Sequence, residues 1–555
     1  MNSRFYIYKN VLIAVALSTA LISSCKKSEP LIPTEPVDTT STPGAGTRAE
    51  LTKDSIFLYA KEIYLWNDAL PTYGVFNPRQ YNSASNDLDN YDAELFALTQ
   101  LPKNPATNLP YEYSGPTSTQ PKYSFIDDIT DNNSAQSFVT KDKATVELDG
   151  SGYDLGFFWF MPYGSRTNFS FYVMAVYPNS PAAKAGITRG AIINKVDGKT
   201  IGTNYSSQYL LVYDLVDADP TTATISGIKA DGTPFNDVVL TKSKYTTTPV
   251  FKTKTLTVGN KKIGYLAFGQ FSDLEKIAKP DLDAAFAQFT KDGVADLIVD
   301  LRYNGGGFVS TAEYLINLIA PPTVTGTMFV EYYNKLMQEG KADILKNQPL
   351  LDANDKIQYS GGKIITYADV DYSVLGNTIT FSKKGSLSTV ANIVFLVSGN
   401  TASASELVIN SLKPHLNVKL VGKQTYGKPV GFFPIKLEKK YDVYLSLFES
   451  KNSLNQSDYY AGFTPDLVDR NTDTNTDETL FDDAKHDFGD ASESYTKAAI
   501  GLLAPGGVVT KANTVMSIRG KTVSVASSLS ITKDSKTAKQ FVGMIETRHK
   551  LKGNK

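Results

Sequence analysis

One serine and one lysine stand out as side chains whose setting could support covalent chemistry. The segment Thr401-Ala402-Ser403-Ala404-Ser405-Glu406 follows an apolar run at 393–398 and opens a helical pattern at 404–412. A hydroxyl at that turn lies beside helix N-terminal N–H groups, which favour developing negative charge. The N–H of Ala404 can serve as one oxyanion donor, and the Gly305-Gly306-Gly307 turn on a neighbouring strand end can supply another. The same residues also spell a capping box, Ser403-x-x-Glu406, which needs no chemistry at all. Lys428, in Thr425-Tyr426-Gly427-Lys428-Pro429, follows 25 residues later (428 − 403). A turn, one helix and one strand fill that interval, which could bring the lysine back over the serine. Burial that lowers a lysine's pKa towards neutrality lets it act as the base a serine nucleophile needs. Taken singly, a loop lysine is ordinarily just solvated.

Other chemistries lack material. The histidines are His415, His486 and His549, none in a two-histidine ligand spacing, and Cys25 is the sole cysteine. That argues against a zinc hydrolase, a thiolate cage or an intramolecular disulfide, so no metal and no cofactor are expected. A histidine-based hydrolase using His415 would need it near Ser403, whereas helix rise alone separates them by about 15 Å. Residues 422–428 match most of a P-loop, but Pro429 replaces the magnesium-binding Ser or Thr and a strand-like run follows. The glycine triplet 305–307 lacks the third glycine of a dinucleotide fingerprint. Lys+Arg 56 against Asp+Glu 57 leaves a net charge of −1, which gives nucleic acid no field to follow.

The elements that must position these residues read as a mixed, multidomain α+β chain. At 555 residues, with 41% hydrophobic and 20% charged, three to four globular units are expected. Residues 250–480 form an α/β core, with strands at 262–268, 297–301, 393–398 and 418–421 and helices at 311–319 and 404–412. That order makes a mostly parallel sheet whose chemistry gathers at strand C-terminal ends. Residues 323–388 read as an insertion, and 481–555 as a peripheral C-terminal region. Residues 146–245 are β-rich, with strands at 169–176 and 192–196, a short helix at 181–186, and a hairpin turn at Asp197-Gly198. Residues 48–145 read as a small helical N-terminal unit without chemistry. There Ile56, Tyr59, Ile63 and Trp66 fall at helical spacing, Asp54 can cap the start, Pro71 stops the run, and 92–98 is a second helical stretch.

The first 25 residues look like an export signal: Arg4 and Lys9, then an apolar run of 12 residues (22 − 11 + 1), too short to span a bilayer. Leu21-Ile22-Ser23-Ser24-Cys25 resembles a bacterial lipobox, which implies a lipidated Cys25; an ordinary signal peptide with an incidental cysteine is the alternative. Residues 26–47, with Pro30, Pro33, Pro36 and Pro43, read as an extended tether holding the body at a membrane in the cell envelope.

Two family resemblances complete the reading. Asn179-Ser180-Pro181-Ala182-Ala183-Lys184-Ala185-Gly186-Ile187, Arg189-Gly190-Ala191-Ile192-Ile193 and Val196-Asp197-Gly198-Lys199 resemble a PDZ domain, with Ala191 where an aspartate is usual. Leu155, Gly156, Phe157 and Phe158 resemble its carboxylate-binding loop, which implies capture of a peptide C-terminus by strand addition. Asp300-Leu301-Arg302-Tyr303-Asn304-Gly305-Gly306-Gly307, Ala402 to Glu406, Gly422 to Lys428, and Gly462-Phe463-Thr464-Pro465-Asp466 are together similar to the C-terminal processing (tail-specific) serine peptidases. The resemblance covers roughly residues 150–470. It implies a Ser–Lys endopeptidase with Ser403 as nucleophile, Lys428 as base, and the N–H groups of Gly306 and Ala404 as oxyanion hole. Its substrates would be proteins with accessible C-termini. Many members carry a glutamine four residues after the lysine to orient the amine; here Phe432 stands there, so another group orients Lys428 or the base is less well held. A catalytically retired, lipid-anchored PDZ adaptor is the competing expectation.

Overall fold

The apolar strands 261–268, 296–300 and 392–397 are buried along most of their length, and the rest of the molecule is laid around the sheet they form. The computed structural model describes residues 44–130, 146–352, 356–469, 480–506 and 542–553. Cys25, the export signal and most of the tether lie outside the described residues. Among those described, no helix is long and apolar enough to cross a membrane.

The central sheet orders its strands Val250–Val258, Lys261–Phe268, Asp296–Asp300, Asn392–Val397, Asn417–Gly422, Leu467–Val468. The first pair is antiparallel and the remaining pairings are parallel. Parallel strands need crossovers, and the helices Lys279–Asp292, Val309–Ile319 and Ala404–Leu412 supply them. Asp296–Asp300 is buried along its whole length, as a sheet covered on both faces requires. Two strand C-terminal ends, at Asp300 and Val397, lie side by side and carry the loops 301–305 and 398–403.

The PDZ-like part is a sheet ordered Phe157–Ser165, Asn168–Val176, Ile192–Val196, Thr222–Ile228, Pro234–Thr241. Phe157–Ser165 is an edge strand, and the helix Tyr205–Asp217 packs beside it through the stacked rings of Trp159 and Tyr213, 4.9 Å apart. Pro162 is tolerated because an edge strand leaves one row of N–H groups outside the ladder.

Several expectations need correction. The first helix is Arg48–Ile63, capped by Thr47 with Glu50 closing a capping box, and Asp54 lies inside it. Asp54 instead pairs with Arg79 at 2.7 Å. The chain from Gly46 onward holds together as one contact unit, in which strands cross several of the boundaries read in the sequence. Phe125–Asp128 of the N-terminal part pairs with Tyr441–Tyr444. Thr327–Tyr333, within the supposed insertion, pairs with Phe448–Asn452 of the core. The C-terminal region is not peripheral: Gly543–Ile545 pairs in parallel with Gly306–Phe308. Among the described residues, one hydrophobic cluster runs from Ile56 and Phe57 through Phe395 and Leu407 to Met544 and Ile545, and a second joins Phe157 and Phe171 to Tyr265, Val394 and Tyr495.

Beneath the 301–305 loop, Arg302 is fully buried among carboxylates. It meets Asp300 at 2.9 Å, Asp482 at 2.9 Å and Glu493 at 2.8 Å. Removing one partner of such a set strands the remaining charges in a dry interior. Arg302→Leu should therefore lower stability in urea denaturation by about 3–5 kcal/mol. Lys419→Ala, which breaks a half-exposed pair with Asp466, should cost under about 1 kcal/mol.

Candidate active site

Ser403 stands at the junction of the buried strand Asn392–Val397 and the helix Ala404–Leu412. Its backbone has φ 56 and ψ −106, a conformation that side-chain-bearing residues rarely adopt. Such a residue costs of order 1–3 kcal/mol and persists only where its surroundings over-determine it. They do so here. Thr401 Oγ1 donates to Leu301 O at 2.8 Å and accepts from Ser398 N at 2.9 Å. Ala402 N and Ser405 Oγ both donate to Asn304 O, at 3.1 and 3.0 Å. Ser403 N–H donates to Glu406 Oε2 at 2.9 Å, so the glutamate half of the capping box is formed. The serine half is not: Ser403 Oγ is buried and has no hydrogen-bond partner among the described residues.

Lys428 approaches from the next strand end. Its ammonium group is buried, and burial pulls its pKa down to about 7, with Lys122 pushing the same way and Glu112 and Glu406 opposing. The Nζ donates to Tyr123 O at 3.2 Å and Val542 O at 3.0 Å. It makes no hydrogen bond to Ser403 Oγ in this structure. Phe432, four residues on, sets its ring 4.4 Å from the Nζ and offers it no acceptor atom.

The loop that carries Lys428 is held as tightly as Ser403. Glu406 accepts from Thr425 Oγ1 at 2.5 Å, Gly427 N at 2.7 Å and Lys428 N at 2.8 Å. Gly427 has φ +85, and a Cβ there would lie 2.5 Å from Gly462 N and from Tyr460 O. The Gly462-Phe463 stretch thus serves as a backing strip, with Phe463 N donating to Thr425 Oγ1 at 2.7 Å.

The expected oxyanion donors are differently placed. Ala404 begins the helix that follows Ser403. Gly306 N–H, by contrast, already donates to Asn304 Oδ1 at 2.9 Å. Gly306 has φ +117, and a Cβ would lie 2.1 Å from Gly543 O, so the C-terminal strand lies directly against this turn. The Leu155–Phe158 loop is buried: Leu155 O accepts from Ala182 N and Gly156 O from Tyr177 N, both at 2.9 Å. Phe158 rests on the Tyr303 ring at 4.9 Å. Arg189 of the PDZ-like part donates to Tyr303 Oη at 2.7 Å and pairs with Asp482 at 2.8 Å. Burial would raise the Asp482 carboxyl, but Arg302 and Arg189 outweigh it and hold it down at about 2. His415 bonds Ser453 Oγ at 3.1 Å and takes no part in the Ser403 site.

Sequence reading missed Glu112, Tyr123, Asp482, Glu493 and Val542. Each acts through tertiary contact with a segment far away in sequence, and none lies in a periodic or spaced pattern.

Residues 262–468 match Peptidase family S41, and residues 172–219 match a PDZ domain. The chain therefore carries an S41 peptidase domain preceded by a PDZ domain. It is 26% identical over 272 residues to a C-terminal processing peptidase, chloroplastic, of Tetradesmus obliquus, covering 46% of this chain and 47% of that one. It is 24% identical over 301 residues to a carboxy-terminal-processing protease of Bartonella bacilliformis, covering 53% and 57%. The chain thus spans about half the length of the curated relatives it matches. A crystal structure from Bacteroides fragilis that carries an S41 protease name shares the fold, at TM-score 0.53 and 20% identity, over 84% of this chain and 99% of the other.

Because one carboxylate positions both loops, Glu406→Ala should let them shift by a fraction of an ångström or more. The measured rate of serine acylation should fall by about 10²-fold, with the fold retained in circular dichroism.

Proposed function

We propose that the chain is a Ser–Lys endopeptidase of the tail-specific type. The observation that carries this reading is Ser403 at a helix start, with a strained backbone and a buried hydroxyl that has no partner among the described residues, beside a strand end that delivers a lysine with its pKa near neutrality. Neutral Lys428 takes the Ser403 proton as Oγ attacks the scissile carbonyl, and the ammonium then protonates the departing amine. The N–H groups of Gly306 and Ala404 receive the oxyanion, Gly306 exchanging its bond to Asn304 Oδ1 for one to substrate. The PDZ domain presents the C-terminus of a protein substrate, which adds to the Phe157–Ser165 edge strand beside the Tyr205–Asp217 helix, its carboxylate at the Leu155, Gly156, Phe157 and Phe158 loop.

One observation favours the retired-adaptor alternative: Ser403 Oγ and Lys428 Nζ share no hydrogen bond here. Fluorophosphonate labelling separates the two. Wild type should label and hydrolyse tail peptides, whereas Ser403→Ala and Lys428→Ala should lose labelling by several orders of magnitude. An unlabelled wild type that still binds tail peptides would establish the adaptor. Lysine acts as base only when neutral, so acylation should climb as pH rises through about 7 and level off above it.

We further propose that Cys25 is lipidated and anchors the enzyme in a bacterial cell envelope, supported by the lipobox-like segment ending in the sole cysteine. Cys25→Ser should move the protein from the membrane fraction to the soluble fraction on cell fractionation.

A further inference from the structure

Lys428 Nζ has three directions in which to point, and the structure accounts for two of them with backbone carbonyls. One is Tyr123 O, from the N-terminal part of the chain, and the other is Val542 O, from its C-terminal segment. A neutral amine that donates both N–H bonds to carbonyls keeps its lone pair in the remaining direction. Phe432 closes the apolar side with its ring and cannot orient the amine by hydrogen bonding through its side chain.

Tyr123 O is itself pinned. Glu112, fully buried, accepts from Tyr123 N at 3.1 Å and Ser124 N at 2.7 Å through Oε2. Its Oε1 accepts hydroxyl protons from Tyr64 at 2.9 Å, Ser124 at 2.7 Å and Ser446 at 2.9 Å. Tyr123 Oη reaches back to Gly427 O at 2.6 Å, beside the lysine. Five donors from the first helix region, the 123–124 segment and the core thus converge on one carboxylate, directly behind the carbonyl that holds the base.

We propose that Glu112 is a positioning residue for the base: it fixes the Tyr123 carbonyl, which orients the Lys428 amine. This rests on the Ser–Lys reading above. The charged groups facing Lys428 are Glu112 and Lys122 of the N-terminal part and Glu406 of the nucleophile helix. The Tyr123 ring and the Val542 carbonyl face it from the other packed segments. Glu112 favours the ammonium form, so removing its charge lets Lys428 become neutral at lower pH.

The test compares Glu112→Ala with Glu112→Gln, reading fluorophosphonate labelling and tail-peptide hydrolysis across a pH series. Glutamine can keep a carbonyl oxygen on the Tyr123 and Ser124 N–H groups while two of the three hydroxyls turn to accept from its amide N–H groups. Glu112→Ala should lower kcat by roughly tenfold or more with KM little changed, and Glu112→Gln should restore most of that rate. In the Gln variant the acid limb of the pH profile should move to lower pH. If Glu112→Ala fails to fold, the acid limb of the Gln variant decides alone. A limb that stays in place in the Gln variant, or losses of rate that only follow the folded fraction in thermal melts, would make Glu112 a structural residue and overturn the assignment. Wild-type labelling together with loss in Lys428→Ala keeps the Ser–Lys reading standing whichever way Glu112 behaves. Failure of that control instead removes the base and its positioning residue together.

Discussion

The carboxylate of Glu406 is the interaction on which the site geometry depends. It receives four donors: the N–H groups of Ser403, Gly427 and Lys428, and the Thr425 hydroxyl. Burial raises its pKa, and those hydrogen bonds counter the rise by favouring the charged form. Two loops from adjacent strand ends are thereby joined at a single point. A strained serine backbone can persist there because the knot leaves it no alternative.

Around that knot lies a second constraint of a different kind. Arg302 is buried with Asp300, Asp482 and Glu493, while Arg189 ties Asp482 and Tyr303 to the PDZ domain. Buried ion sets of this type add little net stability over apolar packing, because desolvation offsets most of the attraction. Their effect is to admit one arrangement. The 301–305 loop, the PDZ domain and the 480–506 segment are correctly placed together or leave unpaired charge in the interior.

Local signals in the sequence were strong where burial imposed a pattern. The apolar runs near 262–268, 297–301, 393–398 and 418–421 announced the central strands, and the helix at 404–412 was legible to the residue. The placement of Ser403 at a strand-to-helix turn and of Lys428 just past the next strand was legible too, from the elements spaced between them. Asp54 misled because it is a good capping residue near a periodic run, while the actual cap is Thr47 with its glutamate partner. The Gly543–Ile545 strand escaped notice because three residues are too few to display a period. Glu112 looked like an ordinary charged loop residue, since nothing in its neighbourhood tells which donors will surround it.

The sequence by itself determined the central strands and crossover helices, their order, and two candidate side chains for serine chemistry. Those follow from periodicity, turn residues and residue type, all of which act over a few neighbouring positions. Only the tertiary structure decided how the lysine is held and what lowers its pKa. The Tyr123 and Val542 carbonyls come from opposite ends of the chain, 419 residues apart (542 − 123), and meet at one amine. Desolvation and hydrogen-bond geometry depend on everything packed around a group, and no local pattern encodes that.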